Sequence, residues 1–275
     1  MIRALLHHSF EVQFLSKERS IESKIHAEFP GLDLIMYDDS MDDPVVRNAL
    51  IQYAPDYLFV CSLDEKVPTD ICRIPTVMAI NFHPSLLPYF RGPNPYYWMI
   101  KLQSKDSGLT AHQITQDWDA GDIIYQHSFL IDQIDTSFTL FQKTCEHIHL
   151  MIRDMTPLLM SRNLSLEKQG AGTYFSQIPT EDYTIDWTHT VDDIDSLVRA
   201  LTFPTFALAL VNGDVIKIID AKPTRHSSPH SHDIVMDNGV LLIGANDYYL
   251  DVQVLMYRDS IYSAKRFLQL KGYFS

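Results

Sequence analysis

An asparagine and a histidine stand two residues apart at the end of an apolar run, and an aspartate follows in a later turn. Asn81 and His83 belong to the stretch NFHPSLLPYFR, and Asp119 lies in a tight Asp-Ala-Gly-Asp turn. Residues two apart on an extended segment point to the same side, so the amide of Asn81 and the imidazole of His83 can face one cavity. These three side chains form the candidate catalytic set.

Together the three residue types suit acyl transfer to an amine. A neutral imidazole accepts a proton near neutral pH, and an amide N–H stabilises a developing oxyanion. A carboxylate beside the imidazole orients the ring and raises its pKa, and Asp119 supplies one if its turn folds over the strand end. No serine or cysteine stands in an obvious nucleophile elbow, so direct transfer is favoured over a covalent acyl-enzyme. His112, in a predicted strand before the turn, is expected to be structural.

Alternating helical and extended patterns predict the fold that positions these residues. Residues 11–15 look extended, and strands are predicted at 33–37, 57–61 and 77–82 from their apolar runs. Helical patterns occur at 20–29, 44–53, 94–103 and 136–155, with Pro157 ending or kinking the last. This order indicates a mostly parallel sheet with helices on both faces. The candidate site then lies at the carboxyl end of a strand, where open α/β sheets bind ligands.

After residue 162 the sequence changes character. Strands are predicted at 206–211, 215–221, 239–243 and 248–256, with Asn212-Gly213 as a hairpin turn. We therefore expect a Rossmann-like α/β fold plus a small C-terminal β domain. The predicted divisions are a catalytic domain at 1–165, a linker and helix at 166–203, and a β-rich domain at 204–275.

Composition and charge restrict the class of protein. The chain has 275 residues, 46% of them hydrophobic, which is enough for a buried core. Its net charge of −13 disfavours a nucleic-acid partner, because binding to phosphates needs a basic surface. It shows neither a transmembrane run nor a signal peptide, and its three cysteines are widely spaced. We expect a cytoplasmic protein with no membrane partner and no metal site.

The string around Asn81 and His83, taken with the turn at Asp119, resembles the folate-dependent formyltransferase family. That family includes methionyl-tRNA formyltransferase and the sugar N-formyltransferases. Its motif is Asn-x-His followed by SLLP and a nearby glycine, then an aspartate in a D-x-G turn. The positions that match here are Asn81, His83, Ser85, Leu86, Leu87, Pro88, Gly92 and Asp119.

The resemblance implies 10-formyltetrahydrofolate as the formyl donor. It also implies that Asn81 stabilises the tetrahedral oxyanion, that His83 manages the amine proton, and that Asp119 orients His83 and relays a proton to the folate. Whether His83 or Asp119 is the base stays open. Residues expected to bind the folate are Leu63, Lys66, Val67, Gln116, Asp117 and Trp118. Residues expected to contact the acceptor are Pro88, Arg91, Tyr97 and Trp98, although helix packing is an alternative for the two aromatic side chains.

The expected acceptor is a small-molecule amine, first a nucleotide-linked amino sugar, because the acidic balance and the small C-terminal domain argue against tRNA. Alternatives are an amine of the amino-acid or hydroxyornithine type, methionyl-tRNA, a formyltetrahydrofolate hydrolase and a non-catalytic remnant.

The N-terminus departs from the family pattern and allows two alignments. In the first, MIRALLHHSFEVQFL corresponds to the end of the first helix and the second strand, so that the opening strand is absent. In the second, MIRALLHH is itself the first strand. We favour the first alignment, in which a partner chain, as in a homodimer, or a rearrangement would cover the gap.

Overall fold

The structure, a computed structural model, describes residues 1–273, which form two compact units. The first unit contains Met1–Pro93, Ser107–Leu130 and Lys143–Phe175. The second contains Asn94–Asp106, Ile131–Gln142 and the chain from Ser176 onward. The candidate catalytic residues all belong to the first unit.

The first unit begins with alternating helices and strands. In chain order these are α1 (Ile2–His7), β1 (Gln13–Ser16), α2 (Glu22–Glu28), β2 (Asp33–Met36), α3 (Pro44–Tyr53), β3 (Tyr57–Cys61) and β4 (Met78–His83). Helix α3 shows how the sequence sets a boundary, since Asp43 caps the helix by accepting the N–H of Val45 and Pro44 occupies the first turn. The helix at Ile2–His7 agrees with the favoured N-terminal alignment, and the alternative that MIRALLHH is a strand is wrong.

The strands of the first unit form two separate sheets. Strands β1 and β2 pair parallel as a two-stranded sheet. The other sheet has the order β3-β4-β5-β6, where β5 is Asp106–Gln113 and β6 is Ile123–Leu130. Within it β3 and β4 are parallel, while β4 and β5 are antiparallel. The carboxyl end of β4 therefore lies between β3 and the strand that leads to the Asp119 turn.

Apolar side chains bury both faces of β3 and β4. One cluster contains Ile80 and Phe82 from β4, together with α1 and helix α5 (Ser137–Ser161). The other contains Ala79 from β4, together with α3. Burial on both faces explains why these strands read as continuous apolar runs.

Helix α5 continues past the proline that was predicted to end or kink it. Pro157 lies inside Ser137–Ser161. Met151, Ile152 and Met155 before the proline and Leu159 after it are all buried in one cluster. Burial on both sides of Pro157 offsets the backbone hydrogen bond that a proline removes.

The second unit contains the C-terminal antiparallel sheet. Its helices are α4 (Pro95–Lys101), α6 (Val191–Ala200) and α7 (Ala264–Leu270). Its strands are β7 (Ala207–Val211), β8 (Asp214–Ser227), β9 (Ile234–Asp237), β10 (Val240–Gly244), β11 (Tyr248–Tyr257) and β12 (Ser260–Ser263). Asn212 and Gly213 both have positive φ and form the predicted hairpin turn between β7 and β8.

The predicted fold class is confirmed: an α/β unit with helices on both faces is joined to a separate antiparallel β sheet. Among the helices of residues 1–273, none combines the length and the apolar character needed to cross a bilayer.

Candidate active site

Asn81 and His83 lie at the carboxyl end of β4, two residues apart and turned to the same side. The antiparallel neighbour β5 places His112 directly opposite Asn81. His83 and His112 are buried, at 5% and 2% exposure. Asn81 and His83 of β4 and His112 of β5 thus bring one amide and two imidazoles together.

The side chains of Asn81, His83 and His112 converge on the carboxylate of Asp119. Its Oδ1 lies 3.3 Å from Asn81 Nδ2, 3.5 Å from His83 Nδ1 and 3.6 Å from His112 Nε2. Its Oδ2 accepts the backbone N–H of Gly92 at 2.9 Å. Asp119 is 8% exposed and has a φ of +52°, a conformation that aspartate tolerates in turns. The predicted catalytic triad is therefore brought together around one buried carboxylate.

Gly92 reaches the carboxylate because it has no side chain. Its φ is +96°, and a Cβ at this position would meet the backbone oxygen of Phe175 at 2.1 Å. Only glycine fits both the backbone conformation and the space. The glycine of the sequence motif thus serves to donate a backbone hydrogen bond to Asp119.

The hydrogen bonds fix which nitrogen of His83 is basic. The Nε2 atom lies 2.8 Å from the carbonyl oxygen of Phe90, which can only accept, so Nε2 carries the proton. In the neutral ring the lone pair is then on Nδ1, which faces Asp119. A proton that arrives at Nδ1 would lie between the imidazole and the carboxylate, so Asp119 stabilises the protonated ring.

A backbone carbonyl also fixes the tautomer of His112, which is the opposite one. Its Nδ1 donates to the carbonyl oxygen of Gln113 at 2.9 Å, so Nε2 is free to accept a proton of Asn81 Nδ2 at 3.1 Å. His112 thereby orients the amide of Asn81. His112 was expected from the sequence to be structural, whereas it contacts two of the three candidate catalytic residues, Asn81 and Asp119.

Burial and charge set the protonation states of the central pair. Burial lowers the pKa of His83 below its ordinary value of 6.5, although the charge of Asp119 acts in the opposite direction. Burial alone would raise the pKa of Asp119, but the adjacent His112 and His83 and the N–H of Gly92 together lower it. Near neutral pH the site holds a neutral imidazole beside a carboxylate.

Gln169 links the two segments that carry the site. Its Nε2 donates to the backbone oxygens of Asp119 at 2.9 Å and Gly121 at 2.6 Å. Its Oε1 accepts from Arg91, at 2.9 Å from Nε and 2.6 Å from Nη2. One amide thus holds the backbone of the Asp119 turn against the loop that follows His83. Gln169 could not be identified from the sequence, because it lies in a polar segment without a motif.

We expect Gln169→Ala to lower the rate of the chemical step about tenfold to hundredfold, because small displacements of catalytic groups have effects of that size. The residue positions the backbone of Asp119, so kcat should fall while KM stays unchanged. Steady-state kinetics would measure both constants.

Gln52→Ala is the matched control, since Gln52 lies exposed on α3. A change in KM with kcat unaltered would contradict the positioning role. So would a Gln169→Ala enzyme that is as active as the control.

The residues predicted to bind the folate divide into two groups. Lys66 Nζ donates to the backbone oxygen of Gln116 at 3.0 Å and lies 5.7 Å from the ring centroid of Trp118. Trp118 is 42% exposed, and Asp117 is exposed beside it. Leu63 and Val67 instead pack against the apolar cluster beside α3. The two predicted segments are therefore adjacent, and Lys66 joins them.

The residues predicted to contact the acceptor are mostly engaged within the protein. Arg91 binds Gln169 and the backbone oxygen of Gly170, and the carbonyl of Pro88 accepts the N–H of Thr173. In the second unit, Tyr97 is 1% exposed and its hydroxyl binds Asp182, so it belongs to the core and does not form a stacking surface. Trp98 donates its indole N–H to the backbone oxygen of Ser176 at 3.0 Å and is half-buried.

Comparison with known proteins gives consistent matches. One relative is the methionyl-tRNA formyltransferase of Mycoplasma capricolum subsp. capricolum, which is 30% identical over 208 residues. This alignment covers 75% of the chain and 62% of the relative, so the chain spans less than two thirds of that protein's length.

Solved structures show the same fold. HypX from Aquifex aeolicus, in complex with tetrahydrofolic acid, has a TM-score of 0.72 at 18% identity and covers 94% of this chain and 46% of its own. An N-formyltransferase from Helicobacter canadensis, in complex with folinic acid and dTDP-3-aminofucose, has a TM-score of 0.62 at 19% identity. That alignment covers 88% of this chain and 98% of the other.

Two family models match consecutive parts of the sequence. Residues 14–155, which contain β4 and the Asp119 turn, match the model described as formyl transferase. Residues 177–271 match the model described as formyl transferase, C-terminal domain. Because the first match alone covers more than half of the chain, the chain belongs to the formyl transferase family.

Proposed function

We propose that the protein is an N-formyltransferase that moves a formyl group from 10-formyltetrahydrofolate to the amine of a nucleotide-linked amino sugar. The observation that carries this proposal is the convergence of Asn81, His83 and His112 on the buried carboxylate of Asp119. The folate donor is supported by HypX and the Helicobacter canadensis enzyme, whose structures contain tetrahydrofolic acid and folinic acid.

The proposed reaction forms one C–N bond and breaks another. The acceptor nitrogen attacks the formyl carbon, and the carbonyl oxygen becomes an oxyanion in the tetrahedral intermediate. The bond from that carbon to the folate nitrogen then breaks. The acceptor amine loses one proton and the folate nitrogen gains one, so no oxidant or further reactant is needed.

Each part of this reaction has a matching group in the site. Asn81 Nδ2 donates one proton to His112 Nε2 at 3.1 Å and the other to Asp119 Oδ1 at the longer distance of 3.3 Å. The oxyanion would replace the longer contact and receive that proton as a hydrogen bond. His83 Nδ1 takes the amine proton, and Asp119 stabilises the resulting charge before the proton passes to the folate nitrogen.

The choice of acceptor rests on charge and on one neighbour. A net charge of −13 opposes the binding of a long polyanion such as tRNA, whereas a single nucleotide needs only a local site. The Helicobacter canadensis enzyme contains dTDP-3-aminofucose, a nucleotide-linked amino sugar. Methionyl-tRNA is the second candidate because of the Mycoplasma relative.

A screen in two steps tests the proposal. Thermal shifts with amino-sugar nucleotides, amino-acid amines and methionyl-tRNA, each in the presence of a reduced folate, identify the compounds that bind the native state. Mass spectrometry then looks for the N-formylated product. Formation of a formylated amino-sugar nucleotide supports the proposal, while formylation of tRNA, or release of formate at the same rate without any amine, would replace it.

The acid limb of the pH profile of kcat/KM is expected to have its midpoint below pH 6.5. Transfer needs a neutral His83, and burial lowers the pKa of this imidazole from its ordinary value of 6.5, so the neutral ring persists as the pH falls past that value. A pH–rate profile of the wild-type enzyme measures the limb. A midpoint above 6.5 would show that Asp119, and not burial, dominates the ionisation of His83.

A further inference from the structure

Phe90 has a left-handed backbone conformation, although its side chain is bulky. Its φ is +56°, which is uncommon for any residue other than glycine and rare for a large one. The carbonyl of Phe90 is the group that accepts the Nε2 proton of His83, at 2.8 Å. A residue persists in such a conformation only where its surroundings fix the backbone. The contacts that hold Phe90 therefore decide where its carbonyl points.

Two hydroxyl groups hold the peptide that joins Tyr89 to Phe90, one at each end. Ser85 Oγ donates to the carbonyl oxygen of Tyr89 at 2.7 Å. The hydroxyl oxygen of Thr173 accepts the N–H of Phe90 at 2.9 Å. This carbonyl and this N–H belong to one rigid peptide plane, so the two contacts together fix the orientation of the plane. We call the two hydroxyls and the peptide between them the peptide clamp.

Both residues that supply the hydroxyls are themselves fixed through their backbones. The N–H of Ser85 donates to the carbonyl oxygen of His83 at 2.9 Å, and the carbonyl oxygen of Ser85 accepts the hydroxyl of Thr110 at 2.6 Å. Ser85 and Thr110 are fully buried. The N–H of Thr173 donates to the carbonyl oxygen of Pro88 at 3.1 Å. The two hydroxyls thus act from fixed positions on either side of the clamped peptide.

The position of the Phe90 carbonyl decides which nitrogen of His83 carries the proton. The ring lies between two acceptors, the Phe90 carbonyl at 2.8 Å from Nε2 and Asp119 Oδ1 at 3.5 Å from Nδ1. A neutral imidazole has one N–H to donate. Hydrogen bonds to a carboxylate are stronger than those to a carbonyl, so a displaced Phe90 carbonyl would let the proton move to Nδ1. The ring would then have no lone pair on the side of Asp119.

We propose that the two hydroxyls of the peptide clamp are positioning groups, which keep the proton of His83 on Nε2 and leave its Nδ1 free to accept a proton. This role rests on the proposed function, in which His83 Nδ1 takes the proton of the acceptor amine. Neither hydroxyl touches the reacting atoms, because each acts through the backbone of Phe90. Ser85 belongs to the SLLP motif, whereas Thr173 lies 83 residues after Phe90 and outside that motif.

Nitrogen NMR of the imidazole rings tests this role in the absence of both substrates. The chain has 12 histidines, so the His83 signals are assigned by their loss in a His83→Gln variant. At about pH 8 the neutral ring should carry its proton on Nε2 in the wild-type protein. Thr173→Val keeps the shape of an exposed side chain but removes the acceptor. The ratio of His83 rings protonated at Nδ1 to those protonated at Nε2 should then rise about tenfold, because a hydrogen bond of ordinary strength is lost.

Three further variants give this measurement its controls. Thr173→Ser restores the hydroxyl and should restore the wild-type ratio. Thr76→Val removes a hydroxyl that donates to Asp56 at 2.7 Å, ahead of the first residue of β4, and should leave the ratio unchanged. Ser85→Ala removes the other hydroxyl of the peptide clamp and should change the ratio in the same direction as Thr173→Val. The double variant should change it by less than the sum of both effects, since each loss releases the same peptide.

Kinetics connect the tautomer with the reaction. With 10-formyltetrahydrofolate and the acceptor found in the screen, Thr173→Val should lower kcat about tenfold and leave KM unchanged, because the tautomer affects the chemical step and not binding. Thr173→Ser should recover the wild-type kcat. Urea unfolding of each variant shows that the protein is folded in the kinetic and NMR samples.

Three results would overturn the proposal. One is a wild-type His83 that is protonated on Nδ1. Another is an unchanged tautomer in the folded Thr173→Val and Ser85→Ala variants. The third is a changed tautomer together with the kcat of the Thr76→Val control. A wild-type protein that transfers no formyl group, but whose His83 tautomer depends on both hydroxyls, would support the peptide clamp and reject the proposed function.

Discussion

Replacing Asp119 by asparagine is expected to lower the rate of formyl transfer by about a thousandfold, within the range found for general acid–base groups. The amide keeps the shape of the carboxylate and can still accept the N–H of Gly92, so the turn should fold as before. It cannot stabilise a protonated His83, whose Nδ1 lies 3.5 Å away. The loss should therefore appear in kcat, because the charge that Asp119 stabilises exists only after the proton has moved.

The control for Asp119→Asn is Asp122→Asn, the other aspartate of the same turn. Asp122 uses its backbone oxygen to accept the N–H of Gln113, a contact that the substitution keeps. Both variants should be measured with 10-formyltetrahydrofolate and the acceptor found in the screen, together with urea unfolding. If Asp119→Asn retains the rate of the control, Asp119 is not part of the proton path.

The candidate catalytic residues Asn81, His83 and Asp119 could be predicted from the sequence because their motifs contain most of the geometry. Asn81 and His83 follow an apolar run, and the strand period of two places them on one side. The turn residues Ala120 and Gly121 indicate that Asp119 lies on a tight loop. What the sequence does not contain is the distance between the strand and the loop, which the antiparallel pairing of β4 with β5 fixes.

The roles of His112 and Gln169 could not be predicted from the sequence. His112 acquires its role from the pairing register that places it opposite Asn81, and a lone histidine in a strand carries no sign of that register. Gln169 acts through backbone oxygens of a segment 50 residues earlier in the chain. Because a backbone oxygen is present at every residue, such contacts require no particular side chain and leave no motif in the sequence.

The prediction that Tyr97 and Trp98 contact the acceptor was limited for a different reason. Tyr97 and Trp98 were selected because adjacent aromatic side chains can stack on a base or a sugar. The same pattern occurs when a short helix packs against its surroundings, and burial of Tyr97 with its hydroxyl on Asp182 identifies that case. In the C-terminal sheet, β9, β12 and α7 were missed, because each is short and lacks a sustained period.

The alanine variant of Asn81 is expected to lose about a hundredfold to a thousandfold in kcat, the cost of removing one oxyanion donor. The amide nitrogen has two neighbours, His112 at 3.1 Å and Asp119 at 3.3 Å, and the oxyanion is proposed to displace the second. Removal of the side chain leaves His112 Nε2 and Asp119 Oδ1 without this donor in a buried site. The effect on the transition state should exceed the effect on substrate binding, so KM should change much less than kcat.

Asn163→Ala provides the matched control for Asn81→Ala, since Asn163 is exposed beyond the end of α5. Comparing Asn81→Ala with Asn81→Asp separates the two functions of the amide. Aspartate keeps the size of the side chain but offers no N–H and adds a negative charge beside Asp119, so it should be at least as inactive as alanine. An aspartate variant with more activity than the alanine variant would show that Asn81 fills space in the site and does not bind the oxyanion.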